Sequence, residues 1–215
     1  MPKDRHYTLL DHLCLGIDQA LRAVLANAKT TERTYPAKNE READLTLEQR
    51  KQAAALMRIN HAGEVCAQAL YQAQGLVSHR PELREKLQRA AIEEGDHLAW
   101  CHTRLVELGS HVSYLNPFWY AGSFAIGLAA GVIGDRWSLG FLAETENQVV
   151  KHLEKHLQLL PSGDQKSYKI LQQMHQDEAE HRDYAINEGA AILPEWVKKV
   201  MQMTSKIMVK TAYWI

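Results

Sequence analysis

The chain reads as an all-α protein built on a four-helix bundle, with an apolar crossover helix and additional helices at both ends. Three observations lead there. Long segments bounded by helix start and stop signals follow one another, with no strand run and no Gly-rich phosphate loop between them. The chemistry-bearing residues occur twice in one order: Glu64, then Glu94 with His97; Glu146, then Glu178 with His181. Each Glu-x-x-His sets a carboxylate and an imidazole on one helix face, where both address the same point. Finally, residues of an antiparallel helical hairpin lie level when the turn falls midway between them. Turn signals stand near residue 80 and near residue 162, midway between Glu64 and Glu94 and between Glu146 and Glu178.

In order along the chain, residues 7–27 form an amphipathic helix (Leu9, Leu10, Leu13, Ile17, Leu21, Val24, Leu25), and a polar linker follows around Thr34 to Asn39. Residues 1–45 make up an N-terminal extension to which no chemistry is assigned. Thr46-Leu47-Glu48-Gln49 is a capping box that opens a helix over 47–77 carrying Glu64. Arg80-Pro81-Glu82 puts proline where a helix begins, so the next helix covers 81–108, carries Glu94 and His97, and stops at Gly109. Helices over 136–160 and 164–188 carry Glu146 and then Glu178 with His181. Ser162-Gly163-Asp164-Gln165 breaks the first and reads as a capping box for the second. A last helix starts at Pro194, with Trp196, Val197, Val200, Ile207 and Tyr213 beside Lys198, Lys199, Lys206 and Lys210. Residues 46–215 constitute the bundle domain.

A length of 215 residues, 46% apolar and 24% charged, suits one domain with a substantial core. A net charge of -1 leaves no nucleic-acid footprint. Cys14, Cys66 and Cys101 are odd in number and lack metal-finger spacing, so they read as reduced, mostly buried thiols. Asp4, Arg5, Asp11 and Asp18 interrupt the apolar N-terminus, no signal peptide is visible, and a cytoplasmic chain is expected.

Val112 to Gly134 is a run of 23 residues without a charge, on length alone enough to cross a bilayer. A single crossing would separate Glu64, Glu94 and His97 from Glu146, Glu178 and His181, so the segment is predicted not to span. It occupies the place of the long connection between the second and third bundle helices. Asn116, Pro117, Trp119 and Tyr120 ahead of a Gly/Ala-rich run suit a helix partly sunk in a bilayer surface, with aromatics at the interface. The alternative is a crossover packed wholly on protein.

Four glutamates and two histidines at one level match the ligand set of ferritin-like di-metal carboxylate bundles. At 1.5 Å per residue the level lies ~23 Å from the turns, deep inside the bundle. Six ligands suit two iron ions, and four carboxylates balance two Fe(II), which makes burial of the charge tolerable. Glu64 and Glu146 are read as bridging carboxylates. In Ala143-Glu144-Thr145-Glu146-Asn147 two glutamates compete for one role; the hairpin heights favour Glu146, with Glu144 the alternative.

Asn60-His61-Ala62-Gly63-Glu64, Asp96-His97 and Asp177-Glu178-Ala179-Glu180-His181, in that order and with the Gly/Ala-rich crossover, resemble the demethoxyubiquinone hydroxylases of ubiquinone biosynthesis. The resemblance covers roughly residues 55–215. Counting from Gly134, it too places the third-helix ligand on Glu146, and it makes residues 1–45 an extension of the kind found in some bacterial members. It implies a ferritin-like di-iron carboxylate monooxygenase with two Fe ions per subunit and O2 as co-substrate. One oxygen atom enters the ring of a polyprenyl demethoxybenzoquinol (2-polyprenyl-3-methyl-6-methoxy-1,4-benzoquinol), and the other leaves as water. It further implies a peripheral place on the cytoplasmic face of the inner membrane, an NADH-derived reductant, and association with itself or with other proteins of ubiquinone biosynthesis. No Gly-x-Gly-x-x-Gly is present, so NADH would act by surface binding or through a separate reductase.

No catalytic group beyond the metal ligands is expected. Glu93 and Asp177 precede ligand glutamates, where a carboxylate orients a histidine on the neighbouring helix or simply faces solvent. Tyr71, two turns beyond Glu64, lines a substrate cavity or packs in the core. His152 and His156 are expected to be exposed, although His152 matches a family histidine; His61 belongs to the resemblance motif or fills local packing. Two other functions compete: a rubrerythrin-like peroxide scavenger or iron-storage protein, and a structural or membrane-adaptor bundle.

Overall fold

The computed structural model describes residues 9–25 and 30–215. Among these are seven α-helices and no strand: α1 (Leu9–Val24), α2 (Leu47–Val77), α3 (Pro81–Glu107), α4 (Asn116–Ile133), α5 (Asp135–Leu159), α6 (Gln165–Asn187) and α7 (Glu195–Ala212). The fold is an all-α, ferritin-like bundle of two hairpins, α2–α3 and α5–α6, joined by α4. The expected ends of the first helix, at 7 and 27, lie outside the described residues.

The helix boundaries follow local chemistry. Thr46 forms the capping box of α2: its hydroxyl accepts from Gln49 N–H (3.3 Å) and its own N–H donates to Gln49 Oε1 (3.0 Å). α3 starts with Pro81 and has no side-chain cap. Asp135, the first residue of α5, instead accepts from the N–H groups of His79 and Arg80 (3.1 Å each) and from Ser78 Oγ (3.2 Å). The start of the second hairpin thereby closes the turn of the first. Gly109, with φ +70°, ends α3, and Ser110 N–H donates back to Leu105 O at 2.8 Å. The capping box expected at Ser162 does not form. Asp164 is the N-cap and accepts from Ser167 N–H at 3.0 Å. A carboxylate wins this position because the buried Arg104 guanidinium also binds it, at 2.8 Å.

The level of Glu64, Glu94, His97, Glu146, Glu178 and His181 falls between two apolar clusters. On one side Met57, Trp100, Leu105, Leu153, Ile170 and Met174 pack together; on the other, Leu83, Leu87, Leu139, Leu142 and Ala185 pack around Tyr71. Residues 35–45 lie against α3 and α6. Tyr35 donates to Glu107 Oε2 (3.2 Å), and Glu42 receives both Arg104 Nη atoms (2.7 and 3.0 Å).

α4 runs along α2. A Cβ at Gly127 would lie 3.0 Å from Leu70 O, and one at Gly131 would lie 2.3 Å from Val77 Cγ2. Close approach of two helices therefore accounts for part of the run's Gly content. Asn116 and Tyr120, expected at a lipid interface, are buried instead, and α2 supplies a hydrogen-bond partner to each. Asn116 Nδ2 donates to His61 Nδ1 (3.4 Å), and the Tyr120 hydroxyl donates to Gln72. Tyr114, Phe118, Ile126, Val132 and Ile133 point outward. Gly134, with φ +133°, ends α4 and lets α5 begin at the next residue. No described helix is long and apolar enough to cross a membrane.

α1 buries Ala23 against Val65, Ala69, Leu98 and Tyr120 and exposes Leu15, Ile17 and Leu21. α7 meets Ile59 and Ala62 through Met208, Val209 and Ala212, while Trp196, Val200, Met203 and Ile207 remain exposed. The cysteines depart from expectation: Cys101 is buried and Cys66 half-buried, but Cys14 is exposed on the outer side of α1.

Candidate metal centre

The i, i+3 spacing within α3 and α6 and the midway turns bring the predicted residues to one level between the two apolar clusters. Glu64, Glu94, His97, Glu146 and Glu178 are buried and His181 nearly so. His97 Nδ1 lies 3.4 Å from Glu64 Oε2, 3.1 Å from Glu94 Oε2 and 3.0 Å from Glu178 Oε1. His181 Nδ1 lies 3.1 Å from Glu94 Oε1 and 3.3 Å from Glu178 Oε2. Glu146 is held by the Tyr71 hydroxyl, which donates to its Oε1 at 2.9 Å, and the Tyr71 ring stands edge-on to His181. Glu144 is half-buried and accepts from Gln148 Nε2 (2.8 Å), one turn along its own helix.

The side-chain disposition differs from the bridging roles read from the sequence. Glu94 and Glu178 each turn one oxygen toward His97 and the other toward His181, which is the disposition of bridging groups. Glu64 stands on the His97 side and Glu146 beside Tyr71 on the His181 side. The reversal comes from the rotation of each helix about its axis, which hairpin heights do not specify.

Both histidines present Nδ1 to the cluster and Nε2 to a carboxylate on the opposite helix. His97 Nε2–H donates to Asp177 Oδ2 (2.9 Å), and His181 Nε2–H donates to Glu93 Oε2 (3.1 Å). Such partners set the ring orientation and tautomer of a metal-binding histidine.

Among the described residues, one ligand atom each from Glu64, Glu94, His97 and Glu178 lies within 4.8 Å of the others. Glu146 Oε2 is buried without a hydrogen-bond partner, and Glu64 Oε2, Glu94 Oε1 and Glu178 Oε1 are met only by an imidazole Nδ1 shared among several carboxylates. Buried oxygens without donors are costly. A donor set of carboxylates and imidazoles converging on them fits iron.

The electrostatics agree. Burial, reinforced by the Glu178 charge, raises the Glu64 and Glu146 carboxyls well above the ordinary carboxylate range. Burial alone would raise Glu94 too, but hydrogen bonds from His181 and His97 bring it below that range. Burial opposes charge on His97, yet Asp177, Glu178, Glu64 and Glu94 together hold its ring protonated well above the ordinary range. Protons thus offset the carboxylates where cations would.

His61 is buried against Asn116. His156, expected to be exposed, is buried with Nδ1–H donating to Asn60 Oδ1 (2.8 Å), and His152 is half-buried beside it. Helical phase accounts for this, since α5 turns both inward toward α2. Thr31 and Arg33 are not signalled by the sequence, and Asp96, read there only as part of Asp96-His97, proves to be their partner. Arg33 contacts Asp96 and Asp177 at 2.9 Å each, and no local pattern near residue 33 signals it.

Fold and site together define a ferritin-like helical bundle with a buried carboxylate–histidine cluster suited to metal ions. The chain belongs to the family described as Ubiquinone biosynthesis protein COQ7, whose profile matches residues 51–212. It is 54% identical over 206 residues to a 3-demethoxyubiquinol 3-hydroxylase of Polynucleobacter asymbioticus, covering 96% of this chain and 99% of that protein. Proteins of the same name from Nitrosococcus oceani and Acinetobacter baumannii are 50% and 51% identical over 211 residues, 98% of this chain and 99% and 100% of theirs.

Proposed function

We propose that this chain is a 3-demethoxyubiquinol 3-hydroxylase, a di-iron carboxylate monooxygenase acting on a polyprenyl 6-methoxy-1,4-benzoquinol in ubiquinone biosynthesis. The observation that carries the reading is the cluster of six residues, five of them buried, in a chain 50–54% identical, over nearly its whole length, to proteins of that name. Glu64 and His97 would hold one iron and Glu146 and His181 the other, with Glu94 and Glu178 placed to be shared by both. When bound, the two Fe(II) ions supply electrons for reduction of O2, one atom of which enters the ring while the other leaves as water.

The chain's own residues prepare this chemistry. Asp177 and Glu93 take the Nε2 protons and so direct each Nδ1 at the centre. Tyr71 orients Glu146. The apolar clusters on either side exclude bulk water and the side reactions it brings. Loading requires His97 to lose its Nδ1 proton and Glu64 and Glu146 to lose theirs, so rising pH favours it.

The substrate's polyprenyl tail places it in lipid. Apolar side chains exposed on α1, α4 and α7, with Lys198, Lys199, Lys206 and Lys210 on α7, support peripheral contact with an anionic membrane surface, on the cytoplasmic face of the inner membrane. The reductant derives from NADH, and association with itself or with other ubiquinone-biosynthesis proteins belongs to the same reading.

Deleting the gene in its host and profiling the quinones tests the function. Ubiquinone should fall and a species lighter by one methoxy group should accumulate, restored by the intact chain and not by Glu178→Ala. An unchanged profile in a host with no second enzyme for this step would refute the hydroxylase, and peroxide sensitivity of the same strain would then favour a scavenger.

A further inference from the structure

The two halves of the centre are alike in their ligands and unlike in what stands behind them. Behind His181, Glu93 accepts the ring proton and also meets Arg89 at 3.2 Å, an arginine side chain 74% exposed. Both sides border one cavity of about 440 Å³, lined by Glu93 and His181 and also by Arg33 and Asp177.

Behind His97 the carboxylate is held by more donors, although the Arg33 side chain is itself 36% exposed. Asp177, which accepts its Nε2–H, also receives Arg33 Nη1 at 2.9 Å and Gln173 Nε2 at 2.9 Å. Arg33 Nε reaches Asp96 Oδ2 at 2.9 Å, so one guanidinium ties a carboxylate of α3 to a carboxylate of α6. The same guanidinium lies 4.8 Å from the centroid of Trp100, whose ring is 5.4 Å from His97. Thr31 grips Asp96 as well, with its N–H donating to Oδ1 at 2.9 Å and its hydroxyl to Oδ2. Glu32 between them has φ +63°, a left-handed conformation uncommon outside glycine.

A planar fork satisfying two carboxylates at once fixes both in angle as well as distance. Asp177 held this way gives His97 one ring orientation. Glu93 meets one arginine, Arg89, 74% exposed against 36% for Arg33, and so constrains His181 less.

We infer that Arg33 is a positioning residue which makes the two metal positions unequal: the position at His97 binds first and tightly, and the position at His181 binds more weakly and exchanges. The inference rests on the di-iron reading and gives the N-terminal extension a part in the chemistry.

Anaerobic titration of the metal-free full-length protein with Co(II), followed by visible absorption and equilibrium dialysis, tests it. Wild type should fill in two unequal steps, and 57Fe-loaded protein should give two distinct Mössbauer doublets. Arg33→Gln should weaken the tight step by up to about 10-fold, the lower end of the scale for loss of a ligand's hydrogen-bond partner because Arg33 acts through Asp177, and leave the other step within about twofold. Arg33→Lys should recover part of the loss. Should Arg33→Gln not fold, Thr31→Val decides: a weakened tight step supports the inference and an unmoved one overturns it. Identical steps in wild type, or equal weakening of both steps in Arg33→Gln, would also overturn it. Wild-type protein that binds fewer than two ions would instead count against the di-iron reading itself.

Discussion

Replacing Ile126 and Val132 with aspartate should release the protein from lipid while its metal centre stays loaded. Both side chains point away from α2, 41% and 64% exposed, whereas the packing of α4 on α2 rests on Gly127, Ala130 and Gly131. The fold therefore loses little in water, where exposed substitutions change stability by about 0.5 kcal/mol or less. At a membrane the balance differs. Each lost side chain gives up about 1 kcal/mol of apolar burial if half of it enters lipid. Each aspartate adds about 1 kcal/mol near the interface and up to roughly 3 kcal/mol deeper in hydrocarbon. The pair thus costs at least about 4 kcal/mol, roughly a 10³-fold loss of partitioning at 1.4 kcal/mol per decade. Flotation with vesicles of phosphatidylethanolamine and phosphatidylglycerol measures the bound fraction, and metal analysis of the same samples reports the centre. Wild type should float and the variant should not, at equal metal content. Equal flotation of the two would refute the role of α4, and an α7 variant lacking Lys198, Lys199, Lys206 and Lys210 would then be the one to detach.

Glu94→Ala or Glu178→Ala should empty both metal positions, Glu64→Ala or Glu146→Ala chiefly one, and Glu144→Ala neither. Metal content of anaerobically purified protein checks this, and loss in Glu144→Ala with retention in Glu146→Ala would move the assignment by two residues. Arg104, fully buried, meets Glu42, Glu107 and Asp164. Arg104→Met would strand the buried Asp164 carboxylate at about 3–5 kcal/mol, roughly a 10 °C fall in Tm for a chain of this size. A calorimetric shift under about 2 °C would contradict it. Burial, aided by neighbouring histidines, pushes His61 and His156 down to about 3. Both stay neutral in the folded protein while the unfolded chain protonates near 6.5, so stability present above that pH is lost as pH falls. The loss is about 2 kcal/mol per histidine between pH 7 and 5. Denaturant unfolding of His156→Gln at the two pH values should show a pH dependence smaller than wild type by about that amount, and an unchanged difference would refute it.

What the sequence by itself determined was local or periodic. Thr46, Pro81 and Gly109 bounded α2 and α3 because capping and proline geometry act within a few residues. The turns near 80 and 162 set the level of Glu64, Glu94, Glu146 and Glu178 because helix rise is constant. What only the tertiary structure decided depended on how helices are rotated and what packs across them. The bridging disposition of Glu94 and Glu178, the inward turn of His156, and the choice of Asp164 over Ser162 as a cap depend on neighbours from other helices. Arg33 is the extreme case. Its partners Asp96 and Asp177 lie on α3 and α6, far along the chain, and an arginine's reach in sequence carries no periodic signal. Short-range sterics and hydrogen bonding write themselves into neighbouring residues, whereas contacts between distant segments exist only once the bundle has brought them together.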